Sequence, residues 1–201
     1  AQSPIVVVNQ WPGYNDSTDT IDGVHPNASG NAKIAANWYS PLTTQIKSVS
    51  GSGGGGNGGS FSGNYKLISR NSGQALDVTG ASTANGAYID QWPDSGSANQ
   101  QWNIVSVGNG YYKLLSRNSG QALDVVSAST ANGAYIDQWP DTGSANQQWN
   151  IVSVGNGYYK LLSRNSGQAL DVVGQSTANG ARVDQWPDSG TANQQWSIVH
   201  V

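Results

Sequence analysis

In residues 61–201 a tryptophan recurs two positions after an aspartate on a short extended segment. In Ala87-Tyr88-Ile89-Asp90-Gln91-Trp92 the side chains of a strand alternate, so Tyr88, Asp90 and Trp92 share one face and Ile89 points to the other. Ile89 is the expected core residue. The opposite face carries two rings and a carboxylate, too polar for a core and too aromatic for an idle surface. Such a face suits a sugar: a pyranose lays its apolar C–H side on an indole, and its rim hydroxyls donate charge-assisted hydrogen bonds to a carboxylate.

These residues sit in a repeat. Asn-Ser-Gly-Gln-Ala-Leu-Asp-Val begins at Asn71, Asn118 and Asn165, and Ala-Asn-Gln-Gln-Trp ends at Trp102, Trp149 and Trp196, both at a spacing of 47. Each copy holds four short candidate strands between Gly, Asn, Asp and Ser clusters. In the first copy they are Tyr65 to Ser69, Ala75 to Val78, Ala87 to Trp92 and Trp102 to Val105. Repeats of this length are usually solenoids or propellers, but three copies are few for a propeller, whose blades number roughly four to eight. Twelve strands in three equivalent units predict an all-β fold, a β-trefoil, whose closed barrel leaves no open ends.

The repeat resembles the ricin-B-type lectins and the family 13 carbohydrate-binding modules over all of residues 61–201. The specific mark is Gln-x-Trp in register three times, as Gln100-Gln101-Trp102, Gln147-Gln148-Trp149 and Gln194-Gln195-Trp196, with Leu-Asp-Val upstream. The resemblance implies that Asp77, Asp124 and Asp171 each accept from two adjacent sugar hydroxyls and that Trp92, Trp139 and Trp186 are the stacking rings. It also places Asp90, Asp137 and Asp184, two before the ring, and Asn99, Asn146 and Asn193, just before Gln-x-Trp, in the pocket. Tyr88 and Tyr135 join the first two pockets, and Arg182, which replaces them in the third copy, is expected to make the third pocket different. The family often has Gln where Asp90 stands; a second carboxylate there argues against acidic sugars. The family's usual disulfide is absent, with Ala75, Ala122 and Ala169 where a Cys often precedes Leu-Asp-Val.

Other roles compete for some of these residues. Trp102, Trp149 and Trp196 lie in Ile/Val strands and are assigned to the core. Taken alone, Asp77 is as good a turn cap as a ligand; its recurrence beside a ring-bearing strand favours binding. The loops at Asp94, Asp141 and Asp188 offer one carboxylate each, too few for calcium, and are assigned to turns. No metal or cofactor is called for.

Composition narrows the partner. Charged residues are 10% of the chain, Gly is 26 of 201, and the twelve acids are all Asp, a strand-and-turn composition in which helix is scarce. A net charge of −3 with nine scattered cations gives no basic stripe for nucleic acid. The longest apolar run, Ile5 to Val8, is far short of the roughly 20 residues that span a bilayer, so no membrane partner is expected. There is no Cys, and redox compartment cannot be read from the sequence. The expected partner is polysaccharide or oligosaccharide, bound by a monomer.

Before the repeats, residues 48–60 form a Gly/Ser-rich linker. Residues 1–47 begin at Ala1-Gln2-Ser3-Pro4 and are read as part of a processed or truncated product. In them Pro4 to Asn9 is patterned as a buried strand and Asn27 to Trp38 as an amphipathic helix. The block between, with Asp22 and His25, resembles the last conserved block of SGNH-type esterases, which implies His25 as general base and Asp22 as its orienting partner. Catalysis by that pair also needs a nucleophilic Ser after a strand and Gly, and Asp16-Ser17 and Asp94-Ser95 have neither. The 1–47 segment is therefore expected to be an inactive remnant of an esterase domain. The leading expectation is a secreted, multivalent, non-enzymatic module that targets a polysaccharide-degrading enzyme to plant cell wall. The alternatives are a fragment of an acetyl-ester hydrolase and a stand-alone galactose-binding lectin.

Overall fold

The computed structural model describes residues 61–201, together with Thr18 and Asn27. Asn27 donates from Nδ2 to the Thr18 carbonyl at 2.9 Å. The strand expected at Pro4–Asn9, the Asp22 and His25 pair, the rest of the helix expected to begin at Asn27, and the linker lie outside the described residues.

Twelve strands follow the repeat: β1 (Gly63–Ser69), β2 (Ala75–Val78), β3 (Ala87–Trp92), β4 (Trp102–Gly108), β5 (Tyr111–Ser116), β6 (Ala122–Val125), β7 (Ile136–Trp139), β8 (Trp149–Gly155), β9 (Tyr158–Ser163), β10 (Ala169–Val172), β11 (Val183–Trp186) and β12 (Trp196–His200). Strands β2 and β3 have the bounds expected from the alternation; β4 runs on past Val105 to Gly108.

Six strands close on themselves in antiparallel pairs, β1 with β4, β4 with β5, β5 with β8, β8 with β9, β9 with β12 and β12 back to β1. The other six form three hairpins, β2–β3, β6–β7 and β10–β11, which cap the barrel. This is the β-trefoil. Every strand pair is closed or capped, so the sheet offers no long free edge.

Leu, Ile and Val from all three repeats meet inside, with Trp102, Trp149 and Trp196 fully buried among them. Each of these indoles donates Nε1–H to the carbonyl of the second residue of a cap hairpin, Trp102 to Leu76 at 3.1 Å, Trp149 to Leu123 at 3.1 Å and Trp196 to Leu170 at 3.2 Å. The buried ring thus fixes the strand that carries the next residue, Asp77, Asp124 or Asp171.

The lobes are sewn together by glutamines. Gln91 is fully buried on the Ile89 side of β3, and its Nε2 donates to the Ser176 and Ala178 carbonyls of the third lobe, each at 3.0 Å. Gln138 makes the same pair of bonds to Ser82 and Ala84 of the first lobe, and Gln185 to Ser129 and Ala131 of the second. A buried amide left without partners is costly, so these six bonds fix how the lobes sit around the axis.

Candidate functional site

Each cap hairpin brings two aspartates face to face. The registers are Asp77 opposite Asp90, Asp124 opposite Asp137 and Asp171 opposite Asp184. All six are buried, at about 5–6% exposed. At the open end of the same hairpins stand Trp92, Trp139 and Trp186, 44–48% exposed. The combination is an accessible ring next to sequestered acid.

The rest of the site comes from two short 3-10 turns. After β2, Thr79–Ala81 forms one wall; before β4, Ala98–Gln100 forms the other and delivers Asn99. Asn99 Nδ2 donates to Asp77 Oδ1 at 2.7 Å and to the Val78 carbonyl at 3.2 Å. Asn146 and Asn193 hold Asp124 and Asp171 in the same way, also at 2.7 Å. Gln100 Nε2 donates to the Pro93 carbonyl while its Oε1 accepts from the Ser95 N–H, which folds the Pro93–Ser97 loop beside Trp92. That loop is a turn, as its sequence implies: Asp94 Oδ1 accepts from the Gly96 N–H and the other oxygen pairs with Lys66.

A cavity of ≈ 460 Å³ in the first lobe is lined by Asp77, Thr79, Asp90, Trp92, Asn99 and neighbouring turn residues. The second lobe has a cavity of ≈ 430 Å³ lined by the equivalent Asp124, Val126, Asp137, Trp139 and Asn146. Both lie in the size range of small-molecule sites. The third lobe repeats the side-chain arrangement with Asp171, Asp184, Trp186 and Asn193.

The paired acids do not ionise independently. Burial, and then the adjacent carboxylate, push Asp77 up to about 7. In the second and third lobes the same two causes push Asp137 and Asp184 up to about 7. Their partners, Asp90, Asp124 and Asp171, are also raised by burial, but hydrogen-bond donors hold them back. Each pair therefore holds one proton near neutrality, because two buried like charges side by side are strongly disfavoured. The pair presents both a hydrogen-bond donor and acceptors to a polyhydroxyl ligand.

Twelve of the fifteen expected site residues gather as three Asp–Asp–Trp–Asn sets. The other three, Tyr88, Tyr135 and Arg182, do not line the first or second cavity. They are exposed and meet one another: the Tyr88 and Tyr135 ring centroids are 5.7 Å apart, and the Arg182 guanidinium lies 4.1 Å from the Tyr88 centroid. The reason is pairing between lobes. Tyr88 is opposite Asp137 of the second lobe, Tyr135 opposite Asp184 of the third, and Arg182 opposite Asp90 of the first. Arg182 therefore pairs with the acid of the first lobe, not with one of its own.

The glycine two residues upstream follows the same rule. Gly86, Gly133 and Gly180 have positive φ, and a Cβ on each would lie 3.5 Å from Cζ3 of Trp139, Trp186 and Trp92 respectively. Each stacking ring thus rests against the backbone of a neighbouring lobe, at a left-handed conformation that favours glycine. Sequence reasoning missed the 3-10 wall and this shared construction. The signal available was Thr79, two residues after Asp77 and so on its face of the extended chain.

The chain matches the ricin-type beta-trefoil lectin domain-like family over residues 49–139 and 145–201. Among solved structures it is similar to ThreeFoil, a designed 3-fold symmetric protein, at 54% identity and TM-score 0.68 over 69% of this chain and 99% of that one. An exo-beta-1,3-galactanase from Clostridium thermocellum is 45% identical, TM-score 0.68, over 69% of this chain and 30% of that one. A Macrolepiota procera ricin B-like lectin, solved in complex with lactose, shares the fold at 23% identity and TM-score 0.62 over 71% of this chain and 98% of that one. No curated protein sequence matches. With the family's pattern spanning most of the chain and three repeats of its buried tryptophan in one closed barrel, this chain belongs to the ricin-type β-trefoil lectin domain family.

Proposed function

We propose that the chain is a multivalent carbohydrate-binding module that targets a secreted polysaccharide-degrading enzyme to plant cell-wall polysaccharide, such as xylan or a galactose-containing polymer. One observation carries the reading: in the first two lobes a half-exposed indole stands at the mouth of a cavity floored by an Asp pair and an Asn, and the same side chains recur in the third. The indole takes the C–H face of a sugar ring. Asp77 Oδ1 is already engaged by Asn99 and Asp90 Oδ2 by Thr79, which leaves one oxygen of each acid for ring hydroxyls. Asp90 Oδ1, Asp137 Oδ1 and Asp184 Oδ1 are buried without a protein partner, and a ligand hydroxyl supplies one. The similarity to part of a galactanase supports a module attached to a glycan-degrading enzyme.

A shallow pocket alone binds at about millimolar Kd, roughly −4 kcal/mol. Three pockets on one rigid body raise retention on a polymer by about 10² or more, since the second contact is intramolecular. The test is pull-down on insoluble xylan and galactan with calorimetry on the oligosaccharides. Retention should fall stepwise as Asp77→Ala, Asp124→Ala and Asp171→Ala are combined. Undiminished retention in the triple variant overturns the proposal, and agglutination of cells without polymer retention supports a stand-alone lectin instead.

The Asp22 and His25 block supports an esterase as the parent enzyme. A chain without the nucleophile block should leave acetyl esters intact, and turnover of acetylated xylan by this chain would restore the hydrolase reading.

A further inference from the structure

The three pockets share one plan, but the first departs from the others at two positions that come from different parts of the chain. Where the second and third lobes have Val126 and Val173 in the 3-10 wall, the first has Thr79, whose hydroxyl donates to Asp90 Oδ2 at 2.9 Å. Where Tyr88 faces Asp137 and Tyr135 faces Asp184, the first pocket is faced by Arg182. The same strand that brings Arg182 to Asp90 brings Gly180 against the Trp92 ring, so Arg182 sits on the rim of the first pocket.

We propose that Thr79 and Arg182 make the first pocket a distinct subsite that takes a glycosyl unit bearing a carboxylate, a uronosyl residue, while the second and third pockets take neutral units. The inference rests on the carbohydrate reading above. Its basis is the arrangement of charge. The groups that face the first acid pair are Asn99 and Gln100 on Asp77, and Thr79 and Arg182 on Asp90. In the second pair the donors Asn146 and Gln147 act on Asp124, and neither a hydroxyl nor a cation lowers Asp137.

Two consequences follow for a ligand. In the first pocket the Arg182 guanidinium stands beside Asp90 and partly offsets the charge of the acid pair, and the Thr79 hydroxyl engages Asp90 Oδ2. A sugar carboxylate meets a nearby cation. In the other pockets tyrosine stands in place of the cation, so the charge of the acid pair is not offset and an acidic unit is repelled. Arg182 has five N–H donors, and stacking on Tyr88 uses the guanidinium face, leaving its edge free for a carboxylate.

The experiment titrates the full chain by NMR, following the indole N–H resonances of Trp92, Trp139 and Trp186, each reporting its own pocket. The probes are xylotriose and β-1,3-galactobiose, each with and without a glucuronosyl substituent, at pH 6 and low salt. At the Trp92 pocket the glucuronosyl form should bind about fivefold tighter than its neutral parent, a preference that fades as salt screens the exposed cation. At the Trp139 and Trp186 pockets the neutral form should bind tighter. Arg182→Tyr, which installs the residue of the other two lobes, should erase the preference at Trp92, and Arg182→Lys should keep part of it. Equal preference at all three indoles, or a preference that survives Arg182→Tyr, overturns the inference. If no indole responds to any probe, the carbohydrate reading itself falls.

Discussion

Asp137→Asn should make this protein more stable at alkaline pH while weakening its second pocket. The unfolded chain releases the Asp137 proton near 3.8, whereas the folded chain keeps it to about 7 because of burial and the facing Asp124. Between those values the folded state holds a proton the unfolded state lacks, so the contribution to stability is full below about pH 4 and is lost as pH rises through 7. About three pH units at about 1.36 kcal/mol each correspond to roughly 4 kcal/mol for a pair that loses its proton entirely. An amide at 137 cannot ionise, keeps the shape, and donates to Asp124 as the shared proton did. At pH 8 the variant should therefore exceed the parent by about 2–4 kcal/mol in urea unfolding, on the order of 10 °C in Tm, and at pH 4.5 by only about 1 kcal/mol. The assay is a pair of urea titrations at each pH, with unchanged m-values as the check that both states are the same. If the difference between variant and parent does not change between pH 4.5 and 8, the two acids do not share a proton and the account of all three pairs fails.

Other outcomes follow from the same geometry. Gln138→Leu strips donors from the Ser82 and Ala84 carbonyls and orphans Ser119, and should cost about 3 kcal/mol in urea unfolding, although its side chain does not line the cavity. Trp139→Ala should lower stability by no more than about 1–2 kcal/mol, since the ring is 44% exposed, yet should abolish the Trp139-pocket response to oligosaccharide in calorimetry of single-pocket variants. Gly133→Val forces a β-branched residue to φ 78° with its Cβ 3.5 Å from the Trp186 ring. It should cost about 1–3 kcal/mol and weaken the third pocket, not the second, a lobe assignment that oligosaccharide titration checks directly.

Much of the architecture was legible because it is written locally. A strict repeat implies equivalent units, and alternation along β3 separates Ile89, fully buried, from Trp92, about half exposed. The Gln-x-Trp tryptophans read as core from their Ile/Val neighbours and are buried completely. Gln91 shares the Ile89 side by the same alternation, a polar residue aimed into the interior that required partners. Those partners lie 85 and 87 residues away, and no local pattern specifies them.

The sequence by itself determined the closed three-lobed β-fold, the sets of Asp, Trp and Asn that come together, and which aromatics are buried, because strand periodicity and near-identical repeats act over a few residues. Only the tertiary structure decided which lobe each rim residue serves, since strands of neighbouring lobes pair across the axis and pass Tyr88, Tyr135 and Arg182 to adjacent pockets. It also decided the charge state of the acids: a carboxyl's proton affinity depends on burial and on the group opposite it, and both are set by packing.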